Sequence, residues 1–112
     1  MRFTIEQRDD IVVFTLKNPN LDSEISPQLK AELLILCQPD KKAILFDLSH
    51  VEYVDSTGLG ALLLANRQLK DYDSVIALVG VKELVMKMLS ISHIDSLFEY
   101  YDTVDQAIEN LK

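Results

Sequence analysis

A chain of 112 residues, 48% of them hydrophobic, predicts one compact domain over residues 1–112 with a single core. Its 11 Lys and Arg against 18 Asp and Glu give a net charge of −7. This balance disfavours nucleic acid as a partner, because binding to phosphate backbones depends on clustered cations. No apolar run approaches the roughly 18 residues that a membrane span needs. We therefore expect a cytoplasmic protein without direct membrane insertion.

The cysteine and histidine content bounds the chemistry further. Cys37 is the single cysteine, which excludes an internal disulfide and any multi-cysteine metal site. It follows an apolar run, so we predict a buried core residue rather than a reactive thiol. The two histidines, His50 and His93, are isolated in the sequence, and we expect both in exposed loops or turns. We predict no metal and no cofactor.

The first half of the chain predicts a hairpin, a helix and a buried strand. Alternating and then continuous apolar residues indicate a β-hairpin over residues 1–16, turning at Asp9-Asp10. Ser26 as the cap and Pro27 as the first helical residue predict a helix that ends before residue 39. The apolar run Ala43–Leu48 is typical of a central strand that is covered on both faces.

The second half predicts alternating helices and strands. We expect a helix of about four turns that begins at Ser56 or Thr57, and a buried strand over residues 75–79. Strand, helix, strand over this length implies parallel neighbours in one sheet. The fold class is therefore α/β, a small mixed β-sheet of about four to five strands with helices packed against it. The remaining elements are a short helix traced by Val81, Leu84, Val85 and Met88, an edge strand over residues 97–101, and a last helix after a capping box of Thr103 and Gln106.

The junction between the central strand and the long helix carries the candidate site. A hydroxyl at Ser56 stands at a helix start, where backbone N–H groups are unpaired and the helix dipole is positive. A phosphate on Ser56 would gain hydrogen bonds from those groups. Asp55 would repel that phosphate or orient the hydroxyl for attack on a nucleotide, and Gly58 permits close approach of another backbone. From the residues alone, a simple helix cap worth about 1 kcal/mol is favoured.

The segment Asp55-Ser56-Thr57-Gly58-Leu59-Gly60, preceded by Phe46-Asp47-Leu48 and Val51-Glu52-Tyr53-Val54, resembles the signature of the STAS domain family. Within that family the chain is most similar to stand-alone bacterial anti-sigma factor antagonists. The resemblance extends to Leu21-Asp22 ahead of the first helix and to Ser96–Tyr101 near the end of the chain.

The resemblance implies a switch between partners. The unphosphorylated domain would bind an anti-sigma factor that is also a serine kinase of the histidine-kinase-like ATPase type, which releases a sigma factor. That kinase would phosphorylate Ser56, the complex would dissociate, and a serine phosphatase would restore the binding form. The implied docking surface consists of Asp22 and the turn formed by Asp55, Ser56, Thr57, Gly58, Leu59 and Gly60.

Three alternatives stay open at this stage. Small STAS proteins also serve as subunits of ABC-type phospholipid transport complexes, where the domain docks on an ATPase without phosphorylation. A small serine hydrolase with Ser56 as nucleophile would need a base. His50 lies six residues earlier, but the sequence places no third residue to complete a catalytic triad with it. Thr57 is a second possible phosphate acceptor.

Overall fold

The computed structural model describes Met1–Lys112 and contains seven strands and four α-helices. The strands are β1 (Phe3–Arg8), β2 (Ile11–Leu16), β3 (Asn20–Leu21), β4 (Ala43–Asp47), β5 (Tyr53–Val54), β6 (Val75–Val79) and β7 (Glu99–Tyr101). The helices are α1 (Ser26–Leu36), α2 (Ser56–Leu69), α3 (Glu83–Ile91) and α4 (Val104–Leu111). None of these helices is long and apolar enough to cross a bilayer.

Five strands form the main sheet in the order β1-β2-β4-β6-β7, which confirms the α/β class. β1 and β2 pair antiparallel around the predicted turn, where Asp9 adopts a φ of 57°. Every other neighbouring pair in this sheet is parallel, as the strand–helix–strand order predicts. β4 lies in the centre and β7 at the edge, so both of those sequence predictions are confirmed.

The two faces of the sheet are covered unequally. On one face, α1, α2 and α3 pack over a core cluster of 24 buried residues, which includes the neighbouring rings of Phe14 and Phe46. On the other face, α4 alone covers a cluster of 8 buried residues. Alternate residues of β2 point to opposite faces, with Val12 in the larger cluster and Val13 in the smaller. The candidate site belongs to the three-helix face.

A second, two-stranded sheet was not predicted from the sequence. β3 and β5 pair parallel, with Asn20 opposite Tyr53 and Leu21 opposite Val54. The backbone N–H of Glu52 extends this pairing by donating to the Pro19 carbonyl over 2.7 Å. Strands of two residues are too short to show an alternating pattern. This small sheet joins the loop before α1 to the loop before α2.

The start of α1 differs from the prediction. Ser26 is the first helical residue rather than the cap; the cap position falls on Ile25, whose side chain makes no capping bond. The backbone N–H groups of Ile25 and Ser26 both donate to the Asp22 carbonyl, so the chain is already turning four residues before the helix. The Ser26 hydroxyl also donates to that carbonyl, over 2.6 Å, and is therefore unavailable as a cap acceptor.

Two smaller predictions were also wrong in detail. Thr103 does cap α4 by accepting from the Gln106 N–H, but the Gln106 side chain accepts from Asp102 N–H instead of completing the capping box at Thr103. The short helix α3 exists, yet Leu84 is 52% exposed, and Val85 and Leu89 supply its buried face. A period of 3.6 residues leaves the choice of face to the packing of the neighbouring elements.

Candidate functional site

Asp55 caps α2 and organises the turn that carries Ser56. Its backbone is extended, and one carboxylate oxygen, Oδ1, accepts from the N–H of Thr57 at 2.9 Å and of Gly58 at 3.0 Å. The Thr57 hydroxyl donates to the same oxygen. The Asp55 N–H in turn donates to the Leu21 carbonyl over 3.1 Å, which fixes the turn to β3.

These bonds favour the ionised form of the Asp55 carboxyl. The hydrogen bond from the Thr57 side chain has the largest effect, and backbone N–H groups of Gly58, Thr57 and Ser23 add to it, so the pKa of Asp55 lies below its usual value. A carboxylate with a lowered pKa is a weak proton acceptor. Asp55 is therefore built as a cap and a fixed negative charge, not as a general base.

The sequence analysis expected unpaired N–H groups of the first helical turn to face the Ser56 oxygen, and the structure corrects this. The N–H groups of Thr57 and Gly58 donate to the Asp55 side chain, and the Leu59 N–H donates to the Asp55 carbonyl at 3.0 Å. A carboxylate at the cap position satisfies the groups that a phosphate would otherwise use. Of the first turn, the Ser56 N–H alone is left without a hydrogen-bond partner, and together with the positive end of the helix dipole it favours an added anion.

Ser56 and Thr57 are both exposed, but their hydroxyl groups differ. The hydrogen bonds at this turn occupy the Thr57 hydroxyl, which donates to Asp55 and lies 3.1 Å from the Ser26 hydroxyl on α1. None of them involves the Ser56 hydroxyl. The accessible, unengaged hydroxyl of the pair is therefore that of Ser56.

The structure brings the loop of Asp22 next to the turn of Asp55. The β3–β5 pairing and the Ser26–Thr57 contact join the two segments from both sides. Asp22 itself is half-buried, and its carboxylate accepts from the Glu24 N–H at 3.0 Å, so it shapes the loop before α1 without bonding to the turn. The contribution of Ser26 was missed, because only the packing of α1 on α2 reveals it.

Gly58 and Leu59 lie beneath the exposed surface. A Cβ added to Gly58 would sit 2.4 Å from the Leu21 carbonyl oxygen and 2.9 Å from a Val54 methyl group, so only glycine fits there. Leu59 is 9% exposed and packs in the larger core cluster. Both residues therefore set the shape of the predicted docking surface from below, while Ser56 and Thr57 present it to solvent.

Gly60 lies half-buried on the same side of α2 as Ser56, four residues further along. The position that a Cβ on Gly60 would take is open except for the ammonium nitrogen of Lys30, 3.9 Å away. Lys30 belongs to α1 and reaches across to α2. No sequence pattern indicates this approach, since residues 30 and 60 meet only through helix packing.

The histidines lie as the sequence predicts, both exposed, with His93 in a turn at φ 61°. His50 Nδ1 lies 3.5 Å from the Ser49 hydroxyl rather than at Ser56. Cys37 is buried, and burial raises the pKa of its thiol to about 11. These positions offer no base for a nucleophilic Ser56.

The model of the STAS domain matches residues 2–107 of this chain. The chain belongs to the STAS domain family. A candidate anti-sigma factor antagonist of Thermotoga neapolitana is 35% identical over 69 residues, which are 62% of this chain and 61% of the relative. An anti-sigma-B factor antagonist of Listeria monocytogenes is 25% identical over 95 residues, which are 85% of this chain and 83% of the relative.

Solved structures agree with this family assignment. The anti-sigma factor antagonist SpoIIAA in its unphosphorylated form matches with a TM-score of 0.82 at 22% identity, over 97% of this chain and 95% of that one. Its phosphorylated form, from Bacillus, matches with a TM-score of 0.78 at 21% identity, over 99% of this chain and all of that one. At this level of identity the likeness establishes the STAS fold.

Proposed function

We propose that this chain is an anti-sigma factor antagonist, a regulatory binding module rather than an enzyme, switched by phosphorylation of Ser56. The observation that carries the proposal is the exposed and unengaged Ser56 hydroxyl at the first residue of α2. Relatives named as anti-sigma factor antagonists support it, as does SpoIIAA, whose structure is known in unphosphorylated and phosphorylated forms. The unphosphorylated chain binds an anti-sigma factor and so frees a sigma factor for transcription.

The partner is an anti-sigma factor that is also a serine kinase of the histidine-kinase-like ATPase type. It docks on the surface formed by Asp22 and residues 55–60, with Ser56 at its active site. The Ser56 oxygen attacks the γ-phosphorus of ATP, the bond to the leaving ADP breaks, and the serine proton passes to a base. Because the pKa of Asp55 is lowered, that base belongs to the kinase.

Charge explains why phosphorylation ends the complex. A phosphoserine adds about two negative charges to a turn that already holds the ionised Asp55. The N–H groups of Thr57 and Gly58, which follow it in the helix, are already bonded to that carboxylate. A new dianion in a desolvated interface therefore meets repulsion from Asp55 and a desolvation penalty, which together cost several kcal/mol. A serine phosphatase removes the phosphate and restores the binding form.

The test combines phosphate mapping with binding. Incubation with the cognate kinase and ATP, followed by mass spectrometry, is expected to place phosphate on Ser56 and not on Thr57, whose hydroxyl is engaged. Ser56→Asp is expected to weaken binding to the anti-sigma factor by about 100-fold or more, since an unpaired buried charge costs roughly 3 kcal/mol. Ser96→Asp, the same change at another exposed serine, serves as the control and should bind as wild type does.

Phosphate on another residue would refute the proposal, and so would full binding by Ser56→Asp. Recovery of the chain from cells without phosphoserine and bound to the ATPase of a phospholipid transporter would also refute it and would assign the chain to the transport class of STAS proteins. An ester-hydrolysis activity lost in Ser56→Ala would instead identify a hydrolase.

A further inference from the structure

Lys30 occupies an unusual position beside the proposed phosphorylation site. It is the single cationic residue of α1, and its ammonium nitrogen lies 3.9 Å from the Cβ position of Gly60 on α2. In a helix every Cα–Cβ bond tilts toward the N-terminus, so that position lies on the side of Gly60 facing Ser56. Residues four apart on a helix have their Cβ positions about 5–6 Å from each other. The ammonium nitrogen is thus no more than about 10 Å from the Ser56 Cβ.

Lys30 has no ionic partner in the unphosphorylated chain. None of the four ion pairs of the structure involves it, and it is exposed. The cation of α2 itself, Arg67, is eleven residues beyond Ser56, or about 16 Å along the helix. The missing side chain of Gly60 leaves the surface between Lys30 and Ser56 open.

A phosphate on Ser56 needs such a cation. In the first helical turn Asp55 engages the N–H groups that follow Ser56 and leaves only the Ser56 N–H itself, while the charge of Asp55 repels the phosphate. The half-buried Asp22 adds another carboxylate on the neighbouring loop. Lys30 is the one cation of α1, the helix that packs on α2. Its four-carbon stem lets the ammonium group move along α2 to meet the phosphate.

We propose that Lys30 is a positioning residue that pairs with the phosphate of phosphorylated Ser56 within the same chain. The pair links α1 to α2 across Gly60 and holds the phosphate over the docking surface. The inference rests on the proposed phosphorylation of Ser56. It adds an ionic partner for the phosphate within the chain, which holds the phosphoserine side chain in one conformation.

The test uses protein that is produced with phosphoserine at position 56 during translation, so no kinase is required. The second pKa of the phosphate is read by 31P NMR in wild type, Lys30→Gln, Lys30→Arg and Lys70→Gln. The ammonium group favours the dianion, so the phosphate pKa in wild type should lie about 0.3–0.7 units below that in Lys30→Gln. Lys30→Arg should keep the low value. The difference should shrink in about 1 M salt, which screens exposed pairs.

Lys70→Gln is the matched control, because Lys70 is an exposed lysine just past the far end of α2, about 21 Å from Ser56. It should leave the phosphate pKa at the wild-type value. Equal pKa values in wild type and Lys30→Gln, or an equal rise in both glutamine variants, would overturn the pairing. A failure of the kinase to modify Ser56 would overturn the proposed function alone, since the NMR measurement does not depend on it.

Discussion

Replacing each of two glycines of α2 by alanine should change stability in opposite directions. Both Gly58 and Gly60 lie in the first half of the helix, where Gly→Ala gains about 1 kcal/mol from helix propensity. At Gly60 the new methyl group meets only the Lys30 ammonium at 3.9 Å, so Gly60→Ala should keep most of that gain.

At Gly58 the same methyl group would lie 2.4 Å from the Leu21 carbonyl oxygen and 2.7 Å from Leu21 Cγ. Ordinary contacts are about 3.5–4.0 Å, so β3 and α2 must separate by about 1 Å. Overpacking of this kind costs roughly 1–3 kcal/mol, and it also stretches the Asp55–Leu21 backbone bond. Both variants gain the propensity term, so Gly58→Ala should be less stable than Gly60→Ala by the overpacking cost alone, about 1–3 kcal/mol.

Urea unfolding of the two variants and wild type at one pH measures these differences through the midpoint, with the slope unchanged. The reasoning also requires that Gly58→Ala weaken binding to the anti-sigma factor, because the strand joined to the Asp22 loop is displaced. If Gly58→Ala is as stable as Gly60→Ala, the close approach of Leu21 to α2 is not what requires glycine at this position.

Three further predictions concern single side chains. The pKa of Asp55 is lowered in the folded chain, so the ionised carboxylate stabilises wild type relative to Asp55→Asn. This advantage should be full above about pH 5 and should be lost as the pH falls through the lowered pKa. A difference in urea unfolding that does not change with pH would contradict this. Burial raises the pKa of the Cys37 thiol to about 11. At pH 8 Cys37 should therefore react with a thiol reagent far more slowly in the folded chain than in denaturant. Equal rates would be inconsistent with burial. Tyr100→Phe removes the hydrogen bond to the Asp95 carbonyl at 2.7 Å and should cost about 1 kcal/mol in urea unfolding; unchanged stability would argue against the bond.

The long elements could be predicted because their apolar patterns extend over several residues. The continuous apolar run of β4 indicates a buried strand. The periodic leucines of α2 indicate a helix that packs against a sheet. Ser56 could be placed at a helix start for the same reason. The α/β class and the position of the candidate site therefore follow from local sequence.

The details that decide how the site works depend on contacts between distant segments. The β3–β5 pairing joins residues more than thirty positions apart through strands of two residues. The contact between the Ser26 and Thr57 hydroxyl groups, and the approach of Lys30 to Gly60, appear only once α1 packs on α2. The N–H groups of Thr57 and Gly58 could bond either to the Asp55 carboxylate or to a phosphate on Ser56, and the sequence alone does not indicate which.

The unequal cover of the two sheet faces has a consequence for local unfolding. α4 holds a cluster of 8 buried residues, so it can detach while the 24-residue cluster on the other face stays intact. Its amide hydrogens should exchange through such local opening, whereas those of α2 should exchange only when the whole chain unfolds. A kinase would then meet Ser56 on a helix of the larger core cluster, and local opening of α4 would leave the phosphate acceptor in place.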